Sequence, residues 1–354
     1  MRFIGNKEKL LDKIYDTVVD LGFRDGIFCD FFSGTSNVGR YFKEKGYTII
    51  SSDLLYFSYV LQRAYIENNK EAKFSKLLKT LPEASSNALF ASPLDKVIFY
   101  LNNLKGVEGF IYKNYTEEGT AEQKHIRKYF TGENGKRIDA QRQQIETWKE
   151  EKLISEDEYF VLLACLVESV PFYSNISGVY GAFLKTYDPR ALKRFENRAI
   201  KTYKSDKKHK VFNKNSVEIA PDLDVDVLYL DPPYNERQYA PNYHVLETIA
   251  KYDNPEIKGV TGMRNYVEQK SVFCNPTTAI EALKKVAGEA KYKCLLLSYN
   301  SEGIMPQKAI LEALGQFGEV ELKEVDYLRF KSNSNGESAT KKHIKEQIYL
   351  LRRK

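Results

Sequence analysis

The stretch GIFCDFFSGTSNVGRYFKEKGYTIISSD, residues 26–53, constrains the fold more than any other part of the sequence. It opens with a nearly continuous apolar run, which is typical of a strand buried on both faces of a parallel sheet. A turn containing Gly34 follows, then a helical pattern with a capping-type start at Thr35 or Ser36 and a stop at Gly46, then a second strand. Because parallel strands need such a crossover, the stretch predicts a βαβ unit of an α/β domain.

The alternation of strands and helices is interrupted and then resumes. The segment KLLDKIYDTVVDLG predicts a helix that ends at Gly22. Helical patterns dominate from about Tyr56 to Asn213, including TGENGKRIDAQRQQIETWKEE and a helix with a capping box from Ser155 to Glu158. Strands are predicted again in KVFNKNSVEI, VDVLYL, CLLLSYN and KEQIYLLRR. We therefore expect one α/β sheet domain, residues 1–55 and 205–354, interrupted by a mostly helical insert, residues 56–204.

Composition excludes several classes of protein. The 354 residues carry a net charge of +6, which is compatible with a polyanionic partner. None of the 4 cysteines forms a C-x-x-C pair and the 4 histidines are scattered, so we expect neither a disulfide framework nor a metal site. The sequence shows no signal peptide and no apolar run of membrane-spanning length. These features predict a cytoplasmic protein with no membrane partner.

Acidic residues lie at or just after two of the predicted strands. Ligands of open parallel sheets bind at the carboxyl ends of strands, near the reversal of strand order. The loop after the first strand has Asp30 and Gly34 but lacks G-x-G-x-x-G and a Walker lysine, which disfavours dinucleotides and triphosphates. A nucleoside that carries a positive charge and no phosphate, such as S-adenosylmethionine, suits this loop; a simple strand-to-helix turn is an equal alternative. Asp53 follows about twenty residues later, where an acid binds ribose hydroxyls; capping of the next helix is the alternative.

The motif Asp231-Pro232-Pro233-Tyr234 follows the predicted strand VDVLYL. An isolated tetrapeptide of this kind more often only stops a strand, because proline lacks an N–H donor. At the end of a central strand, however, the Asp231 carboxylate and the Pro232 carbonyl supply two hydrogen-bond acceptors. Tyr234 adds an aromatic face. Such a set suits the exocyclic amino group of a stacked base.

The sequence resembles the D12-class DNA N6-adenine methyltransferases, the class that includes the Dam enzymes, over nearly the whole chain. FIGNK, DFFSGTSNVG, SSD, DPPY and LSYNSEG occur in the order of the alpha arrangement. The resemblance implies a Rossmann-like S-adenosylmethionine-dependent methyltransferase sheet in residues 1–55 and 205–354. It implies a target-recognition region in residues 56–204. The implied activity is site-specific methyl transfer from S-adenosyl-L-methionine to N6 of a flipped adenine in double-stranded DNA, with no metal ion.

The resemblance also implies residue roles. The target adenine is held by the catalytic set Asp231, Pro232, Pro233 and Tyr234. The cofactor is bound by Phe3, Gly5, Lys7, Asp30, Phe32, Gly34, Asp53, Leu54, Asn215 and Asp231. Asn215 stands where the family usually has an acid after the third strand. DNA is contacted by Tyr173, Asn175, Tyr180, Lys185 and Arg190 of the insert, and by Arg237 and Tyr239 of the loop after DPPY. For each of the insert residues a structural role in a loop is an equal alternative, and His244 is expected to be a helix-start residue.

Two other functions stay open from the sequence. The same pocket serves an RNA N6-adenine methyltransferase, and a catalytically inactive DNA-binding subunit is a third reading. Methylation of protein glutamine is disfavoured, because that chemistry usually goes with Asn at position 231. The resemblance favours a restriction-modification system. A cognate restriction endonuclease encoded nearby is then the expected partner besides DNA, without a stable complex.

Overall fold

The computed structural model describes residues 3–81, 92–328 and 343–353. The α-helices within these ranges are α1 (Leu11–Asp20), α2 (Asn37–Glu44), α3 (Tyr56–Gln62), α4 (Pro93–Asn102), α5 (Phe110–Tyr115), α6 (Gly132–Glu150), α7 (Glu156–Ser169), α8 (Ser216–Ile219), α9 (Tyr239–Lys251), α10 (Ala279–Glu289) and α11 (Gln307–Gly315). The strands are β1 (Ile27–Phe31), β2 (Thr48–Ser52), β3 (Lys210–Phe212), β4 (Asp224–Leu230), β5 (Ile257–Lys258), β6 (Met263–Arg264), β7 (Lys291–Asn300), β8 (Gly318–Leu328) and β9 (His343–Arg353).

One of two compact units, the sheet unit, comprises Phe3–Gln62, Ser205–Ala240 and Val267–Lys354. Over the described residues its sheet has the strand order β3-β2-β1-β4-β7-β9-β8. Four neighbouring pairs in this order are parallel, namely β3–β2, β2–β1, β1–β4 and β4–β7. Strand β9 is antiparallel to both β7 and β8. The predicted α/β class is confirmed. Because the chain order of the strands reverses between β1 and β4, the carboxyl ends of these two strands border the switch point where such sheets bind ligands.

The βαβ prediction for residues 26–53 is confirmed by the parallel pairing of β1 with β2 and by α2 between them. Gly46 ends α2 with a φ of +90°, a left-handed conformation that glycine adopts without strain. The predicted start of this helix is confirmed, because Ser36 is the N-cap residue of α2, but the cap itself differs from the usual one. Ser36 precedes α2, but its hydroxyl makes no capping hydrogen bond and its φ is +61°. The Asp30 carboxylate satisfies an amide of the first turn instead, by accepting from Gly39 N at 2.9 Å.

Two strand predictions need correction. KVFNKNSVEI forms a strand only over Lys210–Phe212, and Ser216–Ile219 is helical. Asn215 causes the change, because its side chain accepts a hydrogen bond from Val217 N and caps α8. The long strand β8 was not predicted from the sequence. Its alternating residues GEVELKEVDYL follow the period of a half-exposed edge strand, and β8 ends the sheet.

The second unit is the helical unit. Its described residues lie within Arg63–Lys204 and Pro241–Tyr266. Helix α6 supplies buried charges to the ends of other helices in this unit. The Asp139 carboxylate accepts from two backbone amides at the start of α5, at 2.9 and 2.8 Å. Arg142 donates to two carbonyls near the end of α9, at 3.0 and 3.3 Å. Each charge complements the dipole of the helix end that it contacts. The predicted capping box of Ser155 and Glu158 at the start of α7 is confirmed.

Candidate active site

The candidate site is a cleft in the sheet unit, at the carboxyl ends of β1, β2 and β4. This is the edge of an open parallel sheet at which ligands bind. Its lining combines apolar side chains with two carboxylates, and comprises Phe3, Ile4, Gly5, Phe32, Gly34, Asp53, Leu54, Leu55, Asp231, Pro233, Gln238, Tyr239, Gln269 and Ser271. The residues predicted at strand ends are therefore brought together.

Asp53 organises the glycine turn at one side of the cleft. Its Oδ2 accepts from Gly34 N at 2.8 Å, and its Oδ1 accepts from Leu55 N at 2.9 Å. The capping alternative considered from the sequence is thus met in part, since Asp53 holds the chain that enters α3. Asp53 also lies in the cleft, and ribose binding there stays a prediction.

Phe3 packs on the same turn and fixes it sterically. Gly34 has a φ of +53°, and a Cβ built there would lie 2.8 Å from Cε1 of the Phe3 ring. The Phe3 ring also lies 5.7 Å from the Tyr239 ring, and a Cβ on Gly5 would lie 3.2 Å from the Tyr239 hydroxyl. The N-terminal FIGNK segment and the start of α9 therefore form one wall. Only glycine fits Gly34 without moving Phe3.

Asp30 lies beneath this turn, in a smaller cavity shared with Gly5, Lys7 and Asp231. Burial raises the pKa of Asp30 to about 7, although the hydrogen bond from Gly39 N favours the charged form. The nearby Asp231 charge raises the pKa further. Asp30 thus joins β1 to α2 and lies close to the DPPY motif.

Asp231, the first residue of the DPPY motif, belongs to a buried polar cluster. Its Oδ1 lies 3.2 Å from Lys7 Nζ and accepts from the Tyr234 hydroxyl at 2.7 Å. Lys7 Nζ also contacts the Tyr234 hydroxyl and lies 2.5 Å from Glu346 Oε1. The three donors of the ammonium group therefore match three acceptors. Among the described residues, Asp231 Oδ2 has no hydrogen-bond partner, so this oxygen can accept from a substrate.

The cluster perturbs the acid–base properties of its members. Burial raises the pKa of Asp231 to about 6; Lys7 opposes this rise and the Glu346 charge adds to it. Burial alone would lower the pKa of Lys7, but the charges of Asp231 and Glu346 outweigh it and raise that pKa. Burial also raises the pKa of Tyr234 well above its ordinary range. The site therefore holds a cationic lysine, a neutral tyrosine and a carboxylate that ionises near pH 6.

The remaining predicted residues of the sheet unit lie in different positions. Pro232 and Pro233 are buried, and the Tyr234 ring packs edge-on against Tyr299 at 5.1 Å. Lys7 Nζ lies 4.7 Å from the Tyr234 ring centroid. Stacking of Tyr234 on a base stays a prediction. Asn215 caps α8 and is not among the residues described as lining the cleft.

The insert residues predicted to contact DNA divide by burial. Tyr173, Asn175 and Tyr180 are buried in the helical unit. The Asn175 amide bonds Lys128 O, Leu184 O and Asp188 N at 2.9, 2.9 and 2.8 Å, so its hydrogen-bonding groups are used internally. Their burial gives these three residues a structural function, the alternative considered from the sequence, and direct contact with DNA at them stays a prediction.

Lys185 and Arg190 of the same loop are exposed, and Arg190 pairs with Asp188 at 2.8 Å. In the sheet unit, Arg237 is exposed in the loop after DPPY, and Tyr239 lines the cleft. His244 lies inside α9, where its Nε2 bonds Tyr180 O at 3.0 Å. These positions leave Lys185, Arg190 and Arg237 as the accessible cations of the predicted DNA-binding set.

Sequence reasoning missed Glu346 and Ser298, which complete the polar cluster. Ser298 donates to Glu346 Oε1 at 2.8 Å, and the Tyr234 hydroxyl oxygen lies 2.8 Å from the same atom, so its single proton can be donated to either Asp231 or Glu346. The available signal was an acid at the head of the apolar strand segment IYLL. Charged residues are almost never fully buried without partners, so this acid would need a pairing if buried, but the pattern alone is equally compatible with a surface position.

Over the described ranges, no group of His, Cys, Asp and Glu side chains is arranged to hold a metal ion. All 4 cysteines are reduced and buried. No α-helix in the described part of the chain has the length and hydropathy needed to cross a membrane.

Comparisons with known proteins agree with this architecture. Residues 3–312 match the family model of the D12 class N6 adenine-specific DNA methyltransferase. The whole chain is 40% identical to Type II methyltransferase M.FokI of Planomicrobium okeanokoites but spans only 53% of that protein. It is 37% identical to Type II methyltransferase M.NlaIII of Neisseria lactamica, covering 94% of this chain and 93% of the relative. Type II methyltransferase M.CviAII of Paramecium bursaria Chlorella virus 1 is 32% identical, with 99% and 97% covered.

Proposed function

We propose an activity from one established premise: the chain belongs to the family of D12 class N6 adenine-specific DNA methyltransferases. The proposed reaction is methyl transfer from S-adenosyl-L-methionine to N6 of an adenine in double-stranded DNA. The observation that carries it is the Asp231 carboxylate at the end of β4, anchored through Oδ1 and open to a substrate through Oδ2. The names of the relatives, Type II methyltransferases and modification methylases, support a restriction-modification setting. That setting implies a cytoplasmic enzyme, and whether an endonuclease accompanies it is a separate matter.

The cleft residues suit the cofactor class. Bound S-adenosyl-L-methionine supplies an electrophilic methyl group on a sulfonium. The Asp53 carboxylate would accept from ribose hydroxyls, while Phe3, Phe32 and Leu54 would supply apolar contact surface. The cleft contains two carboxylates, Asp53 and Asp231, and Lys7 is paired with acids. A phosphate-bearing nucleotide would be repelled there, whereas a cationic one is favoured.

Asp231 would act on the amino group of the target adenine. That nitrogen is a poor nucleophile because its lone pair is delocalised into the ring. An adenine inside a duplex must first leave the base stack, at a cost of a few kcal/mol. Asp231 Oδ2 and the Pro232 carbonyl would then accept the two amino hydrogens, which localises the lone pair on nitrogen and aims it at the methyl carbon. Orientation and charge placement supply the rate enhancement.

We assign DNA contacts outside the cleft to exposed cations. The helical unit carries Lys185 and Arg190. The run KTYKSDKKHK, residues 201–210, carries exposed lysines along its length. Lysines that contact phosphate position a protein without reading bases. Replacing Lys204, Lys207 and Lys208 with Gln should weaken cognate and scrambled duplexes equally and flatten the salt dependence of binding. Arg190→Gln should instead change the ratio of the two affinities if its loop reads base edges.

The decisive experiment incubates the protein with S-adenosylmethionine and adenine-containing duplex DNA or RNA, and then identifies methylated nucleosides by mass spectrometry. We expect N6-methyladenine in DNA alone. Asp231→Ala should abolish it, whereas Asp224→Ala, at the exposed opposite end of β4, should leave it unchanged. Product in RNA alone would replace the DNA proposal with the RNA reading. Duplex binding without any product would favour an inactive DNA-binding subunit.

A further inference from the structure

Glu346 is a buried carboxylate on β9, outside the DPPY motif. It pairs in register with Asn300 of β7, and the residue is 1% exposed. An ionised carboxylate in such surroundings costs several kcal/mol unless it is paired and hydrogen-bonded. The partners it has are therefore informative about its function.

All contacts described for Glu346 converge on one oxygen. Its Oε1 lies 2.5 Å from Lys7 Nζ, accepts from the Ser298 hydroxyl at 2.8 Å, and lies 2.8 Å from the Tyr234 hydroxyl oxygen, whose one proton it shares with Asp231. Lys7 and Tyr234 are the two residues that hold Asp231 Oδ1. Glu346 does not line the cleft itself. It thus reaches the site only through the groups that orient the catalytic carboxylate.

We propose that Glu346 is a positioning residue for the methyl transfer: it holds Lys7 and Tyr234 so that Asp231 presents Oδ2 to the target amino group. This inference rests on the proposed function. The geometry gives Glu346 a second effect, because it shares the Lys7 ammonium with Asp231 and lies closer to it, at 2.5 Å against 3.2 Å. Without the Glu346 charge, Asp231 would be the one carboxylate left in this cluster to pair with Lys7.

A lysine paired with Asp231 alone would have two effects. It would compete with the adenine amino group for the carboxylate, which lowers kcat, and it would stabilise the ionised form, which extends the remaining activity to lower pH. The titratable and charged groups that face Asp231 are Lys7, Asp30, Tyr229, Tyr234 and Glu346. Of these, only Lys7 lowers the pKa of Asp231 by its charge, and the charge of Glu346 raises it. Loss of Glu346 charge should therefore lower that pKa.

The test is Glu346→Gln, which keeps the size of the side chain and removes its charge. We expect kcat to fall on the order of tenfold or more, because Asp231 would no longer be held in its orientation toward the amino group. The KM for S-adenosylmethionine should change little. The acidic limb of the kcat/KM profile should move to lower pH by about half a unit or more. The control is Glu324→Gln on β8, where the carboxylate pairs with Lys345 at 2.6 Å, and it should behave as the parent. Parental kcat and an unmoved limb in Glu346→Gln would overturn the proposal.

A second variant is compared once circular dichroism has shown that it is folded. Lys7→Met/Glu346→Gln removes both charges of the pair and leaves the Asp231 carboxylate without its cationic partner. If the two residues act as a unit, the kcat of the double variant should be no lower than that of the slower of the single variants Lys7→Met and Glu346→Gln. A fall in kcat equal to the product of the two single falls would contradict the proposal.

One readout needs no substrate. Asp231→Asn should stabilise the protein more at pH 8 than at pH 5, and this difference should shrink in the Glu346→Gln background. An equal difference in both backgrounds would overturn the inference even if the parent methylated no nucleic acid. Failure of the proposed function and failure of this inference are thereby separated.

Discussion

Ionisation of the buried Asp231 carboxyl should lower the free energy of unfolding, and this loss should be largest above about pH 6. Its pKa is raised from 3.8 to about 6, chiefly by burial, so it is harder to ionise in the folded chain than in the unfolded one. A raised pKa contributes stability that is complete below the unfolded value and is lost as the pH rises through the folded value. The difference of about 2 units amounts to about 3 kcal/mol at pH 8, and to about half of that at pH 5.

Asp231→Asn removes this titration while keeping the shape of the side chain. We expect the variant to gain stability over the parent that is larger at pH 8 than at pH 5 by about 1.4 kcal/mol. Urea unfolding at both pH values, followed by circular dichroism, measures this difference, and any pH-independent effect of the amide cancels in it. Asp224→Asn, the same change at the exposed end of β4, should reproduce the pH dependence of the parent. A gain from Asp231→Asn that is equal at the two pH values, or larger at pH 5, would refute the reasoning.

Three further outcomes follow from the site. The kcat/KM profile of the parent should lose activity below about pH 6, because Asp231 must be ionised to accept the amino hydrogens; a flat profile down to pH 5 would contradict this. Asp53→Ala should weaken S-adenosylmethionine binding by roughly 1.5–3 kcal/mol for each charged hydrogen bond lost, measured by calorimetry, and unchanged affinity would remove Asp53 from the site. Gly34→Ala should also weaken cofactor binding, since its Cβ would meet the Phe3 ring at 2.8 Å, whereas Gly315→Ala, with open space around it, should bind as the parent does.

The parts of the site that the sequence predicted are those attached to strand ends. Asp53 and Asp231 follow apolar runs, and the carboxyl ends of parallel strands meet at one edge of a sheet. Local pattern and topology therefore sufficed to bring them together. The strand predicted in KVFNKNSVEI is too long because its apolar spacing continues past the point where the strand ends. Asn215 favours the start of a helix and caps α8 there.

Burial of polar residues was harder to predict. Asn175 and Tyr180 occur in a segment rich in Gly, Ser and Tyr, which is equally typical of an exposed loop and of a buried one whose polar groups bond internally. Residues distant in sequence decide between these cases: Asn175 bonds Lys128 O, and the Tyr180 amide bonds Asn242 O at 2.8 Å. Sequence spacing carries no record of such partners, so exposure could be assigned only after the fold was known.

Glu346 shows why the groups that support a catalytic residue are harder to predict than the residue itself. Asp231 belongs to a motif whose four positions act together, whereas Glu346 lies 339 positions from Lys7 and meets it only because β9 enters the sheet beside β7. A single acid near an apolar strand is compatible with a surface position until its pairing register is known. That register places the acid against an ammonium group already shared with Asp231. The antiparallel strand added to the parallel sheet therefore does more than cover an edge, because it brings the second carboxylate that sets how tightly Lys7 holds the first.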